Sequence, residues 1–329
     1  MSAAVLYKLL AIFLVAALGW FVGRMRWLGD AGGGGDPARV LANAAFYIFI
    51  PALLFRTTAR IDFAALPWRT VSAFFAPVLL LIGLVYAWQR CANGRGRLPT
   101  AAPCVRAITA SFGNTVQIGV PITAAVYGEA GLGIHITIVG LHALVLLSML
   151  TALVELDLAR ARARTEPNAT LWSTLGLSVR HTVVHPVVLP VLAGMLWNAG
   201  GQPLPPVVDE VLELLGRAVV PMSLVLIGMS LAYYGLPGRL KGAVVMSTVK
   251  LVLLPALTLA MAHWGFGLHG MPLGVVVMMA ALPVGSNALL FAQRYQTLEA
   301  EATAAIVFST VAFAAVAPVW LAVLSQFNP

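Results

Sequence analysis

Apolar residues run along this chain in long blocks divided by short polar connections. The blocks cover 5–23, 39–56, 69–90, 103–127, 131–157, 176–199, 207–233, 241–262, 271–293 and 301–325. Each lies near the ~20 residues a helix needs to cross the hydrocarbon of a bilayer. The pattern therefore predicts an all-α polytopic membrane protein with ten transmembrane helices. Composition agrees: of 329 residues 60% are hydrophobic and only 10% charged. A soluble domain is nearer half apolar and a quarter charged. The first block is too long for a signal-peptide core and lacks a charged leader and a small-residue cleavage site, so it reads as a mature span.

The formal charge of +8 does not indicate a nucleic-acid partner. The basic residues sit in short clusters between spans, with no basic domain to hold a duplex. Assigned to alternating sides, they carry a topology signal instead. One side collects fourteen, from Arg24, Arg26 and Arg39 through Arg90, Arg95, Arg97, Arg106 and the 160–164 cluster to Arg180, Arg239, Lys241 and Arg294. The other holds only Lys8, Arg56, Arg60, Arg69 and Arg217. The positive-inside rule places the larger set in the cytoplasm, which puts both termini outside a cell membrane. The sequon Asn168-Ala-Thr170 then falls inside and reads as no glycosylation site. Cys91 and Cys104 show no metal-ligand spacing, and no metal or cofactor is expected.

The most polar connection, LARARARTEPNAT at 158–170, separates five spans from five. The expected organisation is a first repeat over 1–157, a cytoplasmic linker over 158–175 and a second repeat over 176–329. Two halves with an odd number of spans run through the membrane in opposite senses. Their prolines correspond: Pro51 in the second span with Pro221 in the seventh, Pro77 with Pro255, and Pro121 in the fourth with Pro283 in the ninth. Matched interruptions in inverted halves point to a transporter's binding site.

The fourth and ninth spans carry the chemistry, in GNTVQIGVP at 113–121 and ALPVGSNALL at 281–290. Proline lacks an N–H and clashes with the carbonyl one turn back. Pro121 and Pro283 are thus expected to free the carbonyls of Gln117 and Met279, a cost of several kcal/mol in hydrocarbon unless a partner is found. Gly113, Gly119 and Gly285 ease unwinding. Asn114, Thr115, Gln117, Ser286 and Asn287 add donors and acceptors at the same depth. With the spans antiparallel, the breaks are expected to meet near the midplane, each aiming a helix N-terminus at the meeting point. That favours an anion, most simply a carboxylate. The plainer alternative is two kinked helices whose amides satisfy each other.

These residues also carry a resemblance. GNTVQIGVPITAAVYG is similar to the fourth-span motif of the auxin efflux carrier family, which runs PNT, then GIP, then YG. ALPVGSNALLFAQRY with the following AAIVFSTVAFAAVAPVW resembles the family's ninth and tenth spans. RAVVPMSLVLIGMSL resembles the seventh, and Asn43 with FYIFIPALLF the second. PVGSN is closer to the PVGAN-like motif of bacterial malonate carriers than to that of the plant exporters. Gly113-Asn114 stands where plant carriers have Pro-Asn, and the short 158–170 loop replaces their long cytoplasmic domain. The resemblance implies two inverted five-helix repeats with crossed, broken helices 4 and 9. It further implies a scaffold of spans 1, 2, 6 and 7, a moving domain of spans 3–5 and 8–10, and in many members a homodimer. By position, Asn114 matches the binding asparagine, Pro121 and Pro283 the crossover prolines, and Asn287 falls in the ninth-span motif. Asn43, Pro51 and Pro221 become candidates on the scaffold side.

Three titratable groups complete the candidate set. Lys250 lies well inside the eighth span, where a lysine is a functional hypothesis by default. It could balance a substrate carboxylate, tie the unwound region to its domain, or snorkel to the cytoplasmic face. His142 with Glu155 could couple transport to protons, although an interhelical hydrogen bond is the commoner use of a membrane histidine. Sodium is the alternative coupling ion, because freed carbonyls suit it. No HExxH, GxSxG or Walker A pattern is present, so no enzyme is expected. The expectation is a secondary transporter of a small organic anion, a dicarboxylate such as malonate or malate, by elevator or rocking movement. The alternatives are an auxin-like monocarboxylate exporter and a non-transporting membrane receptor.

Overall fold

A computed structural model describes residues 3–29, 37–60, 66–92, 98–165, 186, 188–234 and 240–327. Among the described residues the architecture is helical, and the only extended pairing is an isolated antiparallel bridge between Gly113 and Val284. The helices are α1 (Ala3–Arg24), α2 (Pro37–Arg60), α3 (Trp68–Ala92), α4 (Ala102–Ser111) and α5 (Val120–Thr165). They continue as α6 (Val188–Ala199), α7 (Pro206–Tyr234), α8 (Lys241–Gly265), α9 (Gly270–Ala281), α10 (Asn287–Arg294) and α11 (Glu299–Ser325). Six of the described helices are long and apolar enough to cross a membrane, and three shorter ones are apolar. The chain is therefore that of a multi-pass membrane protein.

The fourth and ninth blocks are each two helices with a break between them. α4 stops at Ser111 and α9 at Ala281, and helical geometry returns only at Thr115 and Asn287. α5 is not one rod. Gly128 has φ +63° and ψ −163°, a conformation essentially reserved for glycine. His135 Nδ1 lies 3.2 Å from Thr123 Oγ1, whereas twelve residues along a straight helix would separate them by about 18 Å. The chain thus folds back at Gly128, between the fourth and fifth expected spans. Its second part runs on through Thr165, so the first residues of the expected 158–175 linker are helical. Ala and Arg sustain a helix after the apolar run has ended. The sequon and residues 176–185 of the sixth expected span lie outside the described residues.

Two packed groups flank the site. In one, α1 lies on α7, and α2 on α6 and α7. Backbones touch there: a methyl at Gly19 would meet the carbonyl of Val225, and one at Gly228 the carbonyl of Ala16. Small residues at such crossings let membrane helices approach. In the other group α3 packs on α4, α8 on α9 and α11, and α9 on α5. Here Pro255 deprives the Leu251 carbonyl of its helical donor, and Trp320 Nε1 of α11 donates to that carbonyl at 2.9 Å. This second group carries its own ion pairs. Arg106 of α4 grips Glu301 of α11 through two bonds at 2.7 and 2.9 Å, and Asp157 of α5 pairs with Arg90 of α3.

Candidate functional site

The two breaks are sewn together by backbone. Asn114 N–H donates to the Pro283 carbonyl at 2.8 Å, and Gly285 N–H donates to the Phe112 carbonyl at 2.8 Å. Phe112 and Leu282 are extended, with ψ 114° and 148°, so each break presents a short strand to the other. The expected juxtaposition of the breaks is present, and its means is a two-bond bridge. Val284 N–H donates to Ser309 Oγ of α11 at 3.0 Å, which anchors the bridge to the bundle.

The break in the fourth block lies before its proline. Pro121 follows the π-turn 115–119 directly, inside one continuous helical run that opens at Thr115, so the chain leaves helix before the proline rather than at it. Departure from helix occurs at Phe112–Asn114, and Thr115–Gly119 form a π-turn closed by Gly119 N–H to the Asn114 carbonyl at 3.1 Å. The side chains of Gln117 and Pro121 lie outside the described residues. Pro283 does sit in its break, but the Met279 carbonyl expected to be free accepts a long bond from Leu282 N–H at 3.4 Å.

Against the bridge lies a cavity of about 460 Å³. A water takes about 30 Å³ of liquid, so the space admits a small organic molecule with several waters. Its floor is Phe112 to Val116 and Gly285 to Asn287; its walls are α2, α7 and the second part of α5. Of the residues singled out from sequence, Asn114, Thr115, Gly285, Ser286, Asn287, His142 and Pro221 line it. Gly119, Pro283, Lys250, Glu155, Asn43 and Pro51 do not. Asn114 is 4% exposed, yet its Oδ1 has no hydrogen-bond partner, and neither has Asn287 Oδ1. Two buried amide oxygens with unused capacity, on buried Asn114 and half-buried Asn287, converge where the breaks meet. A half-turn about each terminal bond exchanges oxygen for nitrogen, so either a donor or an acceptor can be offered. The plainer expectation, amides satisfying each other, does not hold for these two oxygens.

Lys250 is wholly buried and does not snorkel. Its Nζ donates to the Ala280 carbonyl at 2.5 Å, at the negative end of α9. Nζ also lies 3.5 Å from where a Cβ on Gly113 would sit. The amine is thus behind the bridge, with Gly113 between it and the cavity. His142 has aromatic neighbours, its ring centroid 4.3 Å from that of Phe112 and 5.9 Å from that of Phe74. Glu155 lies thirteen residues further along the helix, about 20 Å away by helical rise, and accepts from Tyr295 OH at 3.2 Å. The two do not form a local proton pair. Asn43 is exposed on α2.

The roles of two groups are not legible in the sequence. His135 Nε2 is 2.8 Å from the Thr115 carbonyl. Facing a carbonyl, that nitrogen carries the proton, and Nδ1 accepts from Thr123. A buried imidazole thereby clamps the π-turn from the fifth block. Arg56, counted from sequence only as a topology signal, lines the cavity at its mouth. It bonds Asp209 through Nε at 2.8 Å and Nη2 at 3.2 Å, and Glu213 through Nη2 at 2.6 Å.

Comparison with known proteins supplies the family. An uncharacterized transporter of Methanothermobacter thermautotrophicus is 21% identical, over 96% of this chain and 97% of its own. The uncharacterized transporter YfdV of Escherichia coli is 22% identical over 95% of each chain. Auxin efflux carrier component 8 of Arabidopsis thaliana is 25% identical over 55% of this chain and 60% of its own. The family model described as membrane transport protein matches residues 4–321. With broken helices bridged around a cavity and a match along nearly its whole length, the chain belongs to the membrane transport protein family, that of the auxin efflux carriers.

Proposed function

We propose that this transporter is a secondary carrier of a small organic anion, a dicarboxylate such as malonate or malate, acting by alternating access. The observation that carries the reading is the cavity floor, where Asn114 and Asn287 hold unpartnered amide oxygens in buried positions beside two segment N-termini. The first bond of the π-turn is that of Gly119, so the amides of residues 116–118 open that segment as donors. Ser286 and Asn287 begin α10. Such N-termini favour negative charge, and the two asparagines orient it.

In this reading one carboxylate binds at Asn114, Thr115, Ser286 and Asn287, with Gln117 as a further candidate. Gly119, Pro121, Pro283 and Gly285 shape the breaks. The halves are inverted repeats, helices 4 and 9 cross at the bridge, and the group containing α3–α5 and α8–α11 rocks or slides as a unit against α1, α2, α6 and α7. Protons are the proposed coupling ion, with sodium as the alternative, and the setting is a cell membrane with both termini outside. The resemblance to the auxin efflux carriers implies a dimer in many members, so a homodimer is the proposed assembly.

A monocarboxylate exporter is the second reading, favoured by the match to the Arabidopsis auxin efflux carrier component. The test is uptake of labelled malonate, malate and indole acetate into proteoliposomes, with pH and sodium gradients imposed separately. Malonate or malate flux is expected. Asn114→Ala removes a hydrogen bond to a charged group, worth about 1.5–3 kcal/mol, so affinity should fall by about ten- to a hundredfold. Unchanged binding and flux of every transported anion in that variant overturn the site.

A further inference from the structure

We propose that Arg56 is the specificity-determining residue of this site, receiving the second carboxylate of a two-headed anion. The inference rests on the reading of the cavity as an anion site. The cavity has two polar ends. One is the bridge, with Asn114 and Asn287. The other is its mouth, where Arg56, Glu213 and Arg217 line the same space. The walls between are apolar, with Leu53, Leu54, Val139 and Val219 among them. A molecule that fills it meets polar groups at both ends and hydrocarbon in between.

The mouth is a shared ion network with one charge left over. Asp209 holds Arg56 and also Arg60, whose Nη1 lies 3.1 and 2.8 Å from its two oxygens. Glu213 holds Arg56 and also Arg217. Three guanidinium groups face two carboxylates, so the network keeps a net +1 (3 − 2). A clamp between α2 and α7 needs only one pair. The bonds to Arg56 use Nε and Nη2 alone, which leaves the two N–H groups of Nη1 for another acceptor. The Arg56 side chain is 24% exposed, so the group is fixed and partly desolvated before any ligand arrives.

These facts give selectivity a direction. A dicarboxylate seated on the amides brings its far end to a held guanidinium whose Nη1 still has N–H groups to donate, a charge-assisted hydrogen bond. A monocarboxylate of the same length brings a methyl group there, covering the cation without compensating it. Leaving the remaining Nη1 N–H groups of a partly desolvated cation without an acceptor disfavours that ligand more than a difference in size does.

The experiment measures binding of succinate against butyrate, and malonate against propionate, to the full-length protein in nanodiscs. Each pair exchanges one carboxylate for one methyl. In the native protein the dicarboxylate is expected to bind at least about tenfold more tightly. In Arg56→Gln that ratio should fall toward one. Arg56→Lys should recover only part of it, since the charge returns on a flexible stem without the held, planar placement of Nη1. Glu213→Gln removes a competing acceptor and raises the network to +2, so it should increase the ratio, which a merely structural clamp would not do. A ratio left unchanged in both Arg56→Gln and Glu213→Gln overturns the assignment, as does equal weakening of both ligands in Arg56→Gln. If Arg56→Gln fails to fold, Glu213→Gln alone decides by the same criterion. Failure of the underlying reading looks different: the native protein then binds neither class of anion.

Discussion

Adding a methyl at Gly285 tests whether the bridge holds the two breaks together. In Gly285→Ala the new Cβ falls 2.7 Å from the Gly113 carbonyl oxygen, 2.9 Å from Phe112 Cδ1 and 3.0 Å from the Gly113 carbonyl carbon. Two of these three are backbone atoms of Gly113, and bonds from residues 112 and 114 on either side of it hold that strand against residues 283 and 285. No side chain can swing away to make room. Relief requires parting the strands, which stretches both bonds of the bridge. Each contributes about 0.5–1.5 kcal/mol net, and forced overpacking costs about 1–3 kcal/mol more. The expected destabilisation is thus about 2–6 kcal/mol. Gly113→Ala is the control from the opposing strand. Its Cβ would sit 3.5 Å from both Lys250 Nζ and the Met279 carbonyl oxygen, ordinary contact distances, and its φ is not positive. It should cost under about 1 kcal/mol. Thermal unfolding of both variants in one detergent gives the ranking, and amide exchange at Asn114 and Gly285 reports the bridge itself. Gly285→Ala should unfold well below the native protein and exchange both amides faster, while Gly113→Ala stays near native. Equal stabilities, or the reverse order, would refute the packing described at the bridge.

Other predictions follow from buried charge. Lys250→Met keeps bulk but leaves the Ala280 carbonyl without its donor, so stability should drop by about 1–3 kcal/mol. Anion affinity should move by less than about threefold, because the amine lies behind the bridge. A loss above tenfold with unchanged unfolding would place the amine at the substrate instead. Arg106→Ala strands Glu301, whose side chain is 12% exposed, at a cost of about 3–5 kcal/mol. Glu301→Gln in the same chain should recover part of that, and a double-mutant cycle on unfolding midpoints measures the coupling.

Much of the fold was legible because hydropathy in a membrane protein is nearly a ruler. The blocks located the helices, and the glycines and amides of GNTVQIGVP and LPVGSN located the breaks. Ends were less legible: α5 continues to Thr165 because helical hydrogen bonding outlasts the apolar run. The first break lies at Gly113 and Asn114, ahead of Pro121, because the extended backbone at Phe112–Asn114 is needed for pairing across to Pro283 and Gly285 and the helix has resumed before the proline is reached. The bridge is backbone pairing between residues some 170 positions apart, 113 and 284, and no side-chain pattern announces it. Arg56 was hidden by its type. An arginine near a span end is ordinary topology signal, and only the fold brings Asp209 and Glu213 around it. His135 was visible as a membrane histidine, but its use as a clamp depends on the reversal at Gly128.

The bridge also bears on the empty protein. A carrier whose broken helices relied on cargo to occupy their open backbone groups would be least stable whenever it was unloaded, and its return stroke would demand a passenger. Here Phe112, Asn114, Pro283 and Gly285 answer one another without any ligand. The four groups of the bridge therefore need no counter-cargo to satisfy them, and what a passenger would answer is narrower: the opening amides of 116–118 and the two asparagine oxygens.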